Sequence, residues 1–277
     1  MSQTYDLHCH SFCSDGILSP EQLVSRAKEK EVSVLAVTDH DTVTGIKRAR
    51  AQAAIEEIEL ISGIEFSSVW QGRNIHILGL NVDTESAALQ KSVGEQEQRR
   101  RDRGEVIAKK LEAIGIVGAL DGAKAHAGSD MVGRPHFARW LVEQGVTRTI
   151  DQAFKRYLGA GKPGDVKQMW PDIADVVDII NASGGVAVIA HPLKYKMTRT
   201  KLCSMAADFV DCGGQGIEVV SGRQNVHESA DLAKIGVKYG LYGSMGSDFH
   251  APSGPWAELG CCPPMPVSIE PVWSLWQ

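Results

Sequence analysis

Short runs of β-branched and aliphatic residues recur along the chain, and amphipathic helical stretches separate most of them. This alternation constrains the fold more than any other feature, because strand, helix, strand is the pattern of a parallel sheet covered by helices. Candidate strands lie at 5–8, 34–38, 59–64, 74–80, 186–190, 216–220 and 241–245, with helices near 20–30, 43–57, 172–182, 199–211 and 226–238. The first helix opens on Ser19-Pro20-Glu21-Gln22, which supplies an N-cap, a proline at the first helical position and a capping-box glutamine. The third and fourth strands depart from the rule. In Phe66-Ser-Ser-Val-Trp-Gln-Gly-Arg-Asn-Ile-His-Ile77 the polar tip Gln71–Asn74 predicts an antiparallel excursion. The expected fold class is therefore α/β.

From 95 to 165 the alternation stops and only helical patterns remain. We expect two domains: a barrel from 1–94 and 166–277, and an all-helical insertion from 95–165 between the fourth and fifth strands. An insertion on such a loop is expected over the active-site mouth.

Composition excludes several classes. At 43% hydrophobic and 23% charged, the chain of 277 residues has an ordinary globular balance. No apolar run reaches the ~20 residues of a membrane helix, so no membrane partner is expected. The first ten residues lack the basic start and apolar core of a signal peptide. Six cysteines without a CxxC pair predict reduced thiols and a cytoplasmic location. A net charge of −5 argues against a long, non-specific grip on duplex nucleic acid.

The chemistry lies at the strand ends. His8 and His10 end the first strand, and Asp15 follows. Asp39-His40-Asp41 ends the second and Glu65 the third. His76 lies in the fourth, His191 ends the fifth, and Asp248 and His250 follow the seventh. In His8-x-His10 the two imidazoles share one face of an extended segment. Imidazoles mixed with carboxylates are the donors of Zn²⁺, Mn²⁺ or Fe²⁺. A single histidine after a strand is ordinarily a surface residue, and His126 and His227 read that way. Nine donors recurring at strand ends do not.

Taken together, His8-x-His10, Thr38-Asp-His-Asp41, Gly63-Ile-Glu65, Ala190-His-Pro192 and Gly246-Ser-Asp-Phe-His250 resemble the motifs of the polymerase and histidinol phosphatase (PHP) family. The resemblance implies a distorted seven-stranded β/α barrel holding up to three divalent metals, with Mn²⁺ favoured over Zn²⁺, Fe²⁺ or Mg²⁺. One metal would take His8, His10, Glu65 and Asp248. A second would take Glu65 as a bridge, with His76 and His191. A third would take Asp15, His40 and His250. Three dications against three carboxylates leave a formal surplus of three positive charges, suited to a phosphate dianion and a metal-bridging hydroxide that attacks it. Asp39 and Asp41 would orient imidazoles or relay protons, and Asp41 is read equally well as the cap of the following helix.

The insertion carries a second cluster. Arg134 and His136, in Gly133-Arg-Pro-His136, begin a helix whose free N–H groups favour an anion, and Lys162 sits in a glycine-rich loop. These three are the candidate substrate-binding residues. Arg99, Arg100, Arg101 and Arg103 lie among acidic residues and read as an exposed salt-bridged helix face, with a direct substrate role as the alternative, while Trp140 and Tyr157 read as packing residues. The insertion makes the chain similar to the PHP branch of nucleoside 3′,5′-bisphosphate phosphatases that also act as 5′→3′ exonucleases on RNA. The implied substrate is a small nucleotide or a single-stranded RNA 5′ end, with no protein partner inferred. Three other readings stand beside it: a histidinol-phosphate phosphatase, a non-catalytic PHP module and a barrel amidohydrolase.

Overall fold

The computed structural model describes residues 3–128, 131–167, 169–252 and 258–276. The chain divides into two compact units, Met1–Val93 with Pro171–Gln277, and Gly94–Trp170. The strands are β1 Tyr5–Asp6, β2 Val34–Val37, β3 Glu59–Trp70, β4 Arg73–Leu80, β5 Val186–Ile189, β6 Gly216–Ser221 and β7 Tyr242–Gly246. The α-helices are α1 Pro20–Glu29, α2 Ile46–Glu56, α3 Ala87–Glu112, α4 Ala119–Ala127, α5 Arg134–Glu143, α6 Ile150–Ala153, α7 Ile173–Ala182, α8 Arg199–Asp211 and α9 Val226–Tyr239.

In the first unit the strands follow one another around the sheet in sequence order. β1, β2 and β3 are parallel, β4 is antiparallel to both of its neighbours, and β5, β6 and β7 are parallel. The ends of the sheet meet: Leu7 N–H donates to Met245 O (3.0 Å), Asp248 N–H to His8 O (2.8 Å) and His10 N–H to Phe249 O (2.9 Å). The result is a seven-stranded β/α barrel distorted by the β3–β4 hairpin. Gly246 permits the seam, because a Cβ there would lie 2.3 Å from His8 Cβ and 2.6 Å from its nitrogen.

β3 continues six residues beyond the expected end at Ile64. The extension pairs with β4 across a two-residue turn in which Gln71 (φ 45°) and Gly72 (φ 73°) are both left-handed, as a tight hairpin requires. α1 has the expected capping box: Gln22 N–H donates to Ser19 Oγ, and Ser19 N–H donates to the Gln22 side chain.

Alternation along the strands separates two apolar layers. Leu35, Val37, Ile75, Ile77, Ala187 and Ile189 join the helices in the outer core, whereas Val34, Ala36, Leu78, Leu80, Val186 and Val188 fill the barrel. The inward parity continues from Val34 and Ala36 to His40, from Ile61 to Glu65, and from Leu80 and Leu78 to His76. An apolar plug thus gives way to a polar centre along the same strand faces.

The second unit has its own core of Ile107, Leu111, Ala123, Phe137, Leu141 and Leu158, with Trp140 and Tyr157 packed against it. Gly122 makes room for Trp140, whose ring would lie 1.9 Å from a Cβ at that position. α6 runs on into a π-helical turn at Phe154–Leu158.

Candidate metal centre

Glu65 is the hub. Its side chain has no solvent exposure, and five imidazoles converge on it. Oε1 accepts from His76 Nδ1 (2.8 Å) and His191 Nε2 (2.9 Å). Oε2 lies 3.0 Å from His40 Nδ1, 3.2 Å from His10 Nε2 and 3.3 Å from His8 Nε2. Asp248 Oδ1 stands 3.4 Å from His8 Nε2 and 3.2 Å from His10 Nε2. Asp15 closes the far side, 3.3 Å from His250 Nε2 and 3.8 Å from His40 Nε2.

The contacts around Oε2 have hydrogen-bond lengths without hydrogen-bond directions. His8 Nε2, both nitrogens of His10, His40 Nδ1 and Glu65 Oε2 are all buried and lack a hydrogen-bond partner. Burying that many polar atoms unsatisfied would cost several kcal/mol, at ~1–3 kcal/mol each. Lone pairs aimed at a shared point instead of at one another are what a cation needs. Three groups have donor atoms within 4.8 Å of one another: His8, His10, Glu65 and Asp248; His10, Asp15, His40 and His250; and His40, Glu65 and His76. The expected wiring differs at two places. His10 and His40 each stand in two groups, and His191 stands outside all three, reaching the cluster through Glu65 Oε1.

Residues 6–160 match the family model for the PHP domain. The chain belongs to the PHP domain family. It is 46% identical over 274 residues to a 5′-3′ exoribonuclease of Haemophilus influenzae, covering 99% of each chain. It is 39% identical to the 3′,5′-nucleoside bisphosphate phosphatase of Chromobacterium violaceum, covering 97% of this chain and 94% of that one. A solved structure of an amidohydrolase from Chromobacterium violaceum, with bound sulfate and no metal, superposes with a TM-score of 0.93 at 39% identity, covering 98% of this chain and 95% of that one.

Around the PHP cluster lies a supporting layer that the sequence reading missed in part. Glu218, fully buried on β6, receives His8 Nδ1 (3.2 Å) and the His191 backbone N–H. Asp6, also fully buried, accepts from the backbone N–H groups of Ser247 (2.8 Å) and Gly260 (3.0 Å). Tyr195 receives His76 N–H (2.8 Å) and donates to Ala190 O (2.8 Å). The Lys194 ammonium pairs with Asp248. The carboxylate of Asp39 turns to the loop after β1, accepting from Ser11 N–H (2.7 Å) and from the hydroxyls of Ser11 and Ser14 (both 2.6 Å). Asp41 accepts from Ser67 N–H (2.6 Å) and donates its own N–H to Glu65 O (3.0 Å). Its reading as a helix cap fails, because α2 starts at Ile46 behind Gly45 and uses no side-chain cap.

Three residues of this PHP site hold left-handed backbone: Asp41 (φ 55°), His191 (φ 26°) and Asp248 (φ 53°). Such conformations persist where surrounding bonds enforce them. Electrostatics follow the geometry. Burial lowers the His8 imidazole, but Glu65 and Glu218 outweigh it and carry its pKa up to about 10. Burial dominates at His40 and His191, whose values fall to about 4. Burial alone would raise Glu65, yet His40, His76 and His8 hold it well below the carboxylate range.

In the helical unit, His136 is buried and its Nδ1 accepts the Gly133 N–H (3.0 Å), closing the start of α5. Arg134 lies over the Phe154 ring at 5.8 Å, and Lys162 is exposed in its loop. The arginine run divides. Arg99 pairs with Glu95 (3.5 Å) and Arg101 with Glu97 (3.8 Å), as an exposed face would. Arg100 and Arg103 are instead buried, over the Trp170 ring at 5.5 and 5.3 Å. That part of the exposed-face expectation is corrected: helical periodicity turns positions 100 and 103 inward with the buried Gln96.

Proposed function

We propose that this PHP chain is a divalent-metal-dependent phosphoesterase that removes the 5′-phosphate of nucleoside 3′,5′-bisphosphates and releases nucleotides from the 5′ end of short single-stranded RNA. The observation that carries the reading is the buried Glu65 carboxylate faced by five imidazoles, with ring nitrogens of His8, His10 and His40 that have no hydrogen-bond partner. The names of the two relatives, an exoribonuclease and a bisphosphate phosphatase, support the substrate class. In this reading His8, His10, Glu65 and Asp248 hold one ion, Glu65 with His76 and His191 a second, and Asp15, His40 and His250 a third. Mn²⁺ is the favoured ion, since six imidazoles disfavour Mg²⁺. When bound, the metals supply Lewis acidity at the phosphoryl oxygens and activate water.

The chain's own groups do the positioning. Glu218 fixes the ring of His8 and the strained turn at His191. Asp41 ties β2 to β3 next to Glu65, and Asp39 holds the loop leading to Asp15. Lys194 adds a positive charge beside Asp248, suited to an incoming phosphate. Arg134, His136 and Lys162 of the helical unit are assigned to the second phosphate. Six free cysteines fit a reducing compartment such as the cytoplasm.

The test is hydrolysis by protein of defined metal content, comparing a nucleoside 3′,5′-bisphosphate, a 3′-labelled, 5′-phosphorylated oligoribonucleotide and histidinol phosphate. The expected result is turnover of the first two, with the RNA shortening one nucleotide at a time from its 5′ side. Preference for histidinol phosphate, mid-chain cuts, or shortening from the 3′ side would overturn the reading.

A further inference from the structure

The acidity of the chain is unevenly distributed. The unit Gly94–Trp170 contains 14 Lys and Arg against 10 Asp and Glu, a formal +4, while the remainder contains 15 against 24, a formal −9. Within the basic unit, the turn between α5 and α6 and the helix that follows line an open cavity of about 550 Å³, bordered by Gly145, Val146, Thr147, Arg148, Gln152, Lys155 and Arg156. None of these residues belongs to the site assigned above.

Uncompensated positive charge marks this cavity. Lys155 is engaged by Asp151 at 2.7 Å, but among the described residues the guanidinium groups of Arg148 and Arg156 have no carboxylate partner. Arg156 also lies over the Tyr157 ring at 5.1 Å, which restrains it without neutralising it. The volume falls within the range of ligand pockets and exceeds what one phosphate fills.

Two guanidinium groups without a carboxylate partner fit phosphodiester oxygens. We propose that this cavity binds the sugar–phosphate backbone of single-stranded RNA, engaging nucleotides of the substrate other than the one being hydrolysed. The proposal rests on the RNA half of the function proposed above. It explains how a chain of net negative charge grips an RNA chain: the cations are gathered on one unit. A mononucleotide bisphosphate has no further backbone to place there.

The experiment uses the metal-loaded enzyme and the double variant Arg148→Gln/Arg156→Gln. Both arginines lie on the surface, so loss of fold is not at issue. kcat/KM is measured on a nucleoside 3′,5′-bisphosphate and on a 5′-phosphorylated RNA 12-mer between 50 and 200 mM salt. For the double variant, kcat/KM on the 12-mer should fall at least ~10-fold and its log–log salt dependence should flatten by ~1.4, from ~0.7 per lost contact on a single strand. The bisphosphate value should stay within twofold. Equal losses on both substrates would mean structural damage, and no loss on the 12-mer would mean an idle cavity. Either overturns the site alone. A wild-type enzyme that turns over the bisphosphate and not the 12-mer overturns the RNA reading and this site together.

Discussion

Glu218→Gln removes a charge that touches no proposed ligand atom directly, so it isolates the supporting layer. Glu218 Oε1 and Oε2 stand 3.2 and 3.3 Å from His8 Nδ1, and Oε2 also accepts the His191 N–H. A glutamine that keeps its oxygen at the Oε2 position retains the His191 bond and one contact to His8. What it loses is the negative charge that makes the His8 ring a better donor on its opposite nitrogen. Loss of such an outer partner typically weakens metal binding 10–100-fold, or ~1.4–2.7 kcal/mol, and retention of Oε2 places the glutamine variant at the lower end. Glu218→Leu should do more. It strips acceptors from both His8 and the His191 amide, at ~1–3 kcal/mol of stability for each buried group. The assay pairs Mn²⁺ titration calorimetry with melting of the metal-free proteins. The glutamine variant should melt below wild type but above the leucine variant, because the Glu218 charge helps to hold His8 protonated, and it should bind metal more weakly, whereas the leucine variant should fall further on both counts. Wild-type metal affinity in the glutamine variant would refute the argument that β6 tunes the centre.

Three further outcomes follow from the same geometry. Gly246→Ala should destabilise the fold by ~1–3 kcal/mol or more through overpacking against His8, measured by urea unfolding, and a neutral result would deny the tight β1–β7 seam. Arg134→Gln and His136→Gln should each lower kcat/KM about 10- to 100-fold on a bisphosphate and spare p-nitrophenyl phosphate, corresponding to ~1.5–3 kcal/mol for a charge-assisted contact. Equal losses on both substrates would make these residues structural. Metal-free protein should be most stable near pH 6.5. Below it, His40 and His191, lowered to about 4, favour the unfolded chain as protons bind, so stability falls from 6.5 towards 4. Above it, the stability contributed by His8, raised to about 10, is lost progressively up to that value. A flat melting profile across that range would contradict the assigned burial.

Particular residues show how far the sequence could be read. All seven strands and their helices follow from β-branched runs and caps, because those signals are local. The end of β3 was not local. Glu65 reads as a strand terminus, yet Phe66–Trp70 stays extended because β4 pairs with it residue by residue. The nine donors were legible from their recurrence at strand ends. Their sharing was not, since the position of His40 between Glu65 and Asp15 depends on the barrel's curvature. Glu218 leaves only a faint trace in the sequence, as the lone carboxylate in the short strand Gly216–Ser221. Arg100 and Arg103 left one as well, at helical spacing from Gln96. Asp41 misled because a carboxylate before a helix ordinarily caps it, whereas here a left-handed turn directs it to Ser67.

Glu65→Gln tests the account most directly, with metal content per chain and turnover of a nucleoside 3′,5′-bisphosphate measured on the same preparation. Glu65 is the only carboxylate faced by His8, His10, His40, His76 and His191 together among the described residues. The account predicts fewer metals per chain than wild type and abolished turnover in a protein that remains folded. Full metal occupancy with near-normal activity would contradict it.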